Sequence, residues 1–240
     1  MNYFIVALLS AVMVGALPDG FVYINDVDPS IRVNLKYFGT DNFIGWKIFG
    51  YNANKGILTK EAAIALSKAQ KIFNSKGYCI LVYDAYRPQC AVDSFVNWIE
   101  NSSDNRNKEY YYPRVDKKDL IKKGYVASRS GHSRGSTLDM TVIRCDYKHL
   151  EKAIPEKRDF NGTILTYMND RSIDTGTGFD LMDEASHVKN SIVLEYHDKA
   201  RKYINDVMAS VDFKVLAEEW WHFTLVNEPF KDKYFNFTID

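Results

Sequence analysis

The sequence predicts an α+β fold, a single domain in which a mainly antiparallel sheet is flanked by helices. Three observations carry this. Two segments show helical periodicity with plausible ends. At least three short segments are apolar and rich in β-branched or aromatic residues. The two kinds do not alternate as strand–helix–strand units, so nothing suggests a parallel sheet. The chain has 240 residues, enough for a sizeable core. Apolar residues make up 46% and charged residues 26%, the balance of a globular protein. The formal charge is zero, which argues against a nucleic-acid partner, since that would require a basic surplus or stripe.

The N-terminal run MNYFIVALLSAVMVGA is too short for a membrane span. It reads as a secretory signal over residues 1–16, with a small-residue cleavage site at Val14-Gly15-Ala16, although its only leading positive charge is the terminal amine. A cleaved signal makes the mature protein, residues 17–240, an exported one with no membrane span; without cleavage it is cytoplasmic. TKEAAIALSKAQKIFNSK, 59–76, reads as a helix capped by Thr59 and ended by Gly77, with Ala62, Leu66, Ala69 and Phe73 on one face. YCILVYD, 78–84, reads as a strand, and Pro88 is placed to open the helix QCAVDSFVNWIE. Residues 101–118 read as a polar surface excursion. TLDMTVIR, 137–144, is a strand, and 145–178 reads as a long irregular connection. LEYHDKARKYINDVMAS, 194–210, is helical, and the aromatic EWWHFTLV, 219–226, is a strand. Three cysteines, Cys79, Cys90 and Cys145, contain no CxxC pair. In an exported protein they allow one disulfide and one free thiol, with the pairing left open.

The chemistry is concentrated around SRSGHSRGSTLDMTV, 128–142. Alternation on the strand puts Thr137, Asp139 and Thr141 on one face, opposite Leu138, Met140 and Val142. The two glycines of the preceding turn let His132 fold back toward Asp139. An imidazole and a carboxylate held together are good Zn²⁺ ligands, and a catalytic zinc needs three protein donors and an open position. His222, in EWWHF, is the natural third donor. Alternation groups it with Trp220 and Thr224, opposite Trp221, Phe223 and Leu225. Glu219, three residues before His222, supplies a carboxylate that can move protons without binding metal. Taken singly, a strand His or Asp more often serves a core or a solvated face, and His149, His187 and His197 keep that reading. No HExxH is present.

The motifs taken together change the weight. SxHSRGSxxDxT at 130–141 with EWWHF at 219–223 resembles the D-alanyl-D-alanine dipeptidases of the VanX type, zinc peptidases of family M15 related to D,D-carboxypeptidases of cell-wall metabolism. YFGTDNFIGWKIFGY at 37–51, DAYRP at 84–88, YYPRVDKKDLIKKGYVAS before the histidine motif, GTGFDLMDEASH at 176–187 and the closing NEPFKDKYFNF extend the likeness, in order, from about residue 22 to the end. The resemblance implies one Zn²⁺ per chain on His132, Asp139 and His222, with Glu219 as general base and then acid. It implies that Arg87 stabilises the anionic transition state and that Asp180 pairs with the ammonium of a small D,D-dipeptide. Ser130, Tyr37 and Tyr51 fall at positions around the substrate.

Two departures stand out. Gly131 replaces a second serine, and 145–174 is longer than compact relatives need. The expected reaction is hydrolysis of D-alanyl-D-alanine or a close D,D-dipeptide. The alternatives are D,D-carboxypeptidase action on longer muropeptides and a non-catalytic zinc-fold binder of cell-wall peptides.

Overall fold

A computed structural model describes residues 16–240. The expected signal lies outside the described residues, apart from Ala16. The central sheet has five strands in the order β2 (Arg32–Val33), β4 (Tyr78–Asp84), β5 (Thr137–Arg144), β9 (Glu219–Leu225) and β8 (Phe213–Leu216). Only the short β2–β4 pair is parallel; the rest are antiparallel, as the sequence predicts. A two-stranded ribbon pairs β1 (Phe21–Tyr23) with β3 (Ile57–Thr59). Among the described residues, no helix is long and apolar enough to cross a membrane.

Two of the helices are short, α1 (Ile24–Val27) and α4 (Lys108–Tyr111); the long ones are α2 (Lys60–Asn74), α3 (Gln89–Glu100) and α5 (Glu195–Ala209). Thr59 caps α2 by accepting the Ala62 amide, and Pro88 stands at the N-cap of α3. The predicted face of α2 is buried: Ala62, Leu66, Ala69 and Phe73 have no exposed surface and join one core with Ile80, Leu81 and Val82 of β4. Burying each such large side chain contributes about 1.5–3 kcal/mol.

Two expectations need correcting. The 101–118 segment is not merely a surface excursion. Tyr111 and Tyr112 are buried, and Tyr112 packs edge-on against Trp98 of α3 at 5.5 Å. Nor is 145–178 irregular throughout. It contains a hairpin of β6 (Ile154–Phe160) and β7 (Thr163–Asn169), turned at Asn161-Gly162. Charged residues in β6 mask the strand pattern, because one face of the hairpin is solvated while Phe160 and Leu165 are buried with Leu181, Ala185 and Val193.

Cys79 at the start of β4 and Cys145 just past β5 form a disulfide, and Cys90 is free. The bond closes a chain separation of 66 residues, so it restricts the unfolded ensemble strongly. Replacing both cysteines by alanine is expected to lower the free energy of unfolding by about 2–4 kcal/mol. Urea titration against the oxidised wild type checks this, and equal midpoints would exclude a stabilising role.

Candidate active site

Three neighbouring strands bring the site together. Asp139 of β5 is the register partner of Asp84 on one side and of His222 on the other. His132 sits in a 3-10 turn, Gly131–Arg134, whose Ser130 side chain accepts the His132 amide hydrogen. Gly135 ends the turn with φ +86°, and a Cβ there would lie 2.2 Å from the Phe21 ring. Only glycine suits both demands. At Gly131 a side chain would press on Thr137 Oγ1 at 2.8 Å, so this tight turn leaves little space for one.

His132 Nδ1 donates to the Ala85 carbonyl at 2.7 Å. A carbonyl only accepts, so the ring's proton is fixed there and Nε2 presents a bare lone pair. That lone pair faces Asp139 Oδ2 at 3.3 Å and His222 Nδ1 at 3.4 Å, and His222 Nδ1 is 3.1 Å from Asp139 Oδ1. Asp139 Oδ1 is buried and accepts no hydrogen bond. Electron pairs aimed at one another in a buried place are stable only with positive charge between them. One atom from each of the three residues lies within 4.8 Å of the others, a spacing suited to a divalent cation. The donor set, two nitrogens and a carboxylate, fits Zn²⁺.

Glu219 Oε2 is 3.3 Å from His222 Nδ1. An odd spacing on a regular strand would put the two on opposite faces. A large bulge removes the conflict: Val215 pairs with Phe223 but the next residue, Leu216, pairs with Glu219. The same bulge overturns the predicted grouping of Trp220 with His222. Trp220 Nε1 instead donates to Thr177 Oγ1 at 2.9 Å, and its ring lines a separate cavity beside Arg201.

Arg87 Nε donates to Asp84 Oδ2 at 2.8 Å, and its guanidinium lies 5.0 Å from the ring centres of both Tyr37 and Phe95. Asp84 is fully buried and also accepts from Tyr51 Oη at 2.7 Å. Tyr51 therefore braces Asp84 from behind and does not line the cavity. Asp84 was not singled out from sequence, although it opens the DAYRP motif. Asp180 has φ +60°, a conformation that L-residues rarely hold and that clusters at functional sites. Its Oδ2 accepts from Tyr37 Oη at 2.7 Å. Burial, together with the negative charge of Asp139 and Glu219, pushes the Asp180 carboxyl well above the usual range.

A cavity of about 340 Å³ joins these groups. His132, Asp139, His222, Glu219, Arg87 and Asp180 all line it, as do Tyr37 and Ser130. It is large enough for a small ligand.

Comparison with known proteins places the chain in a family. A family described as D-Ala-D-Ala dipeptidase, Peptidase_M15, matches residues 18–152 and 161–240. The chain belongs to this peptidase family. The D-alanyl-D-alanine dipeptidase of Enterococcus faecalis is 37% identical over 93% of this chain and 100% of its own. That of Streptomyces coelicolor is 36% identical over 91% and 98%, respectively. A solved zinc-bound mutant of the vancomycin-resistance D,D-pentapeptidase VanY is 12% identical, covering 74% of this chain and 77% of its own with a TM-score of 0.39. The gap in the family match, 153–160, coincides with β6 of this member.

Burial disfavours charge on His222, but Asp139 and Glu219 raise its pKa to about 9. In the metal-free protein the ring thus holds a proton at neutral pH, and an incoming cation must displace it. Zinc affinity is expected to rise about tenfold per pH unit up to about pH 9, with about one proton released per ion at pH 7. Calorimetric titration in buffers of different ionisation enthalpy measures that proton; no buffer dependence would contradict the assignment.

Proposed function

We propose that this M15 peptidase is a zinc-dependent dipeptidase that hydrolyses D-alanyl-D-alanine, or a close D,D-dipeptide, to free amino acids. The observation that carries the reading is the convergence of the His132, Asp139 and His222 donor atoms beside Glu219. The relatives' names supply the D,D substrate. The cavity adds a fixed guanidinium and a buried acid, the two groups such a substrate requires.

His132 Nε2, Asp139 and His222 Nδ1 would hold the zinc, whose Lewis acidity makes a water more acidic and polarises the amide carbonyl. Glu219 accepts the proton from the attacking water and returns it to the departing amine. Arg87 cannot swing freely, because Asp84 and the Tyr37 and Phe95 rings hold it. A guanidinium fixed in advance stabilises the growing oxyanion more than the neutral carbonyl, which lowers the barrier. Asp180, oriented by Tyr37, receives the substrate ammonium. The ligand's positive charge offsets the burial that disfavours the Asp180 anion, so a free amine is selected and an acylated one is not. Ser130 stands at the same wall, where its hydroxyl also holds the His132 turn.

The Cys79–Cys145 disulfide supports residence in an oxidising compartment. It accords with export, the reading drawn from the apolar N-terminal run.

Glu219→Ala is expected to retain stoichiometric zinc while kcat for D-Ala-D-Ala falls about 10²–10⁴-fold. Metal analysis alongside released D-alanine checks both halves, and full activity in this variant would rule out the mechanism. Asp180→Ala is expected to lower kcat/KM for D-Ala-D-Ala about 10²-fold, the loss of a buried charge-assisted contact. A wild type that releases D-alanine from a muropeptide faster than from the dipeptide, with Asp180→Ala unaffected, would favour the carboxypeptidase alternative.

A further inference from the structure

Asp180 and Glu219 lie on different parts of the chain, yet one buried hydroxyl connects their supports. Thr177 precedes Asp180 by three residues and has only 1% of its surface exposed. Its Oγ1 accepts from Trp220 Nε1 at 2.9 Å and from Arg201 Nη2 at 3.1 Å, and lies 3.2 Å from Ser186 Oγ. Trp220 is the residue next to Glu219 on β9. Arg201 belongs to α5, and its other donors go to the carbonyls of Thr175, Ala185 and His187 at 2.8–3.0 Å. Among the described residues no carboxylate forms an ion pair with Arg201. Its charge is therefore met by the backbone on both sides of Asp180.

The chain around Thr177 has no freedom to drift. A Cβ on Gly178 would lie 3.0 Å from Met168 Cβ and 3.1 Å from the Met168 amide nitrogen of β7. This close approach leaves the backbone next to Thr177 little room to shift. A hydroxyl has two lone pairs, and three donors converge on this one, from Trp220, Arg201 and Ser186. Losing it would leave a buried indole N–H and a buried guanidinium N–H without an acceptor, a costly state that the loop would relieve by moving.

We infer that Thr177 is a positioning residue whose hydroxyl fixes the amine-reading Asp180 relative to the base Glu219. The inference rests on the proposed dipeptidase reaction and adds a determinant of its selectivity. It makes recognition of the free amine and placement of the base mechanically dependent on one atom. A displacement of about 1 Å in such a contact costs up to about 10²-fold in rate.

The test compares two substrates on the zinc-loaded enzyme: D-Ala-D-Ala, and D-lactoyl-D-alanine, in which a hydroxyl replaces the ammonium. The selectivity is the ratio of their kcat/KM values. Thr177→Val keeps the shape and removes the hydroxyl; it should lower that ratio at least about fivefold, the equivalent of one hydrogen bond. Thr177→Ser, which keeps the hydroxyl, should stay within about twofold of wild type in the ratio. A Thr177→Val ratio equal to that of wild type, or a Thr177→Ser variant as unselective as Thr177→Val, overturns the inference. Wild type that cleaves neither compound overturns the dipeptidase reading itself, and the inference with it. If Thr177→Val does not fold, Trp220→Phe decides. It removes the N–H donor together with part of the indole, and should lower kcat about fivefold or more with KM nearly constant. An unchanged kcat in that variant overturns the link to Glu219.

Discussion

The site depends on a buried electrostatic conflict. Asp139 is held 2% exposed between two imidazoles, one of which has its only proton committed to the Ala85 carbonyl. What remains is a set of electron pairs converging on a small volume. Burial alone would raise the Asp139 carboxyl, but the close contact and charge of the protonated His222 hold it below the ordinary carboxylate range. The fold thus maintains an anion in its interior, and such an anion requires a cation. A proton on His222 can serve, and a divalent ion with three ligands serves better. The wall of the cavity can be read from this requirement. Arg87, anchored on Asp84, adds a second positive charge 3.5 Å from Asp139 Oδ2.

Rigidity behind the site comes from layers of buried polar contacts. Tyr51 braces Asp84, Asp84 braces Arg87, and Tyr37 serves both Asp180 and the cation face of Arg87. Each of these contacts matches a buried polar group, so shifting one leaves another unsatisfied. On the far side, Arg201 fastens the Asp180 loop to α5, and the β6–β7 hairpin presses against it through Met168 and Phe160. Here β6, the stretch that the family match leaves out, meets the loop. It closes the back of the loop and leaves β5 and β9, which carry Asp139 and His222, untouched.

Apolar patterning made α2, β4, α3, β5, α5 and β9 legible to within a residue or two, because the helices bury one face, and β4 and β5 nearly all their residues, in a single core. The resemblance of the motifs singled out His132, Asp139 and His222, and the structure brings their donor atoms within 4.8 Å of one another. The hairpin was not legible. Its solvated face carries charges that look like loop composition, and its buried face, with Phe160 and Leu165, is satisfied by the distant Leu181 and Val193. The burial of Tyr111 and Tyr112 was hidden for the same reason: their partners lie outside the local window.

By itself the sequence determined the class of fold, the ligand types and the turn that carries His132, because local stereochemistry and donor identity are properties of short segments. Tertiary structure alone decided which face of β9 each side chain occupies. A strand's alternation fails wherever its neighbour forces a bulge, and the bulge opposite Leu216 is set by pairing with β8. It brings Glu219 to the side of His222 and sends Trp220 to Thr177. Cross-strand pairing is a property of two segments at once, and no reading of either one contains it.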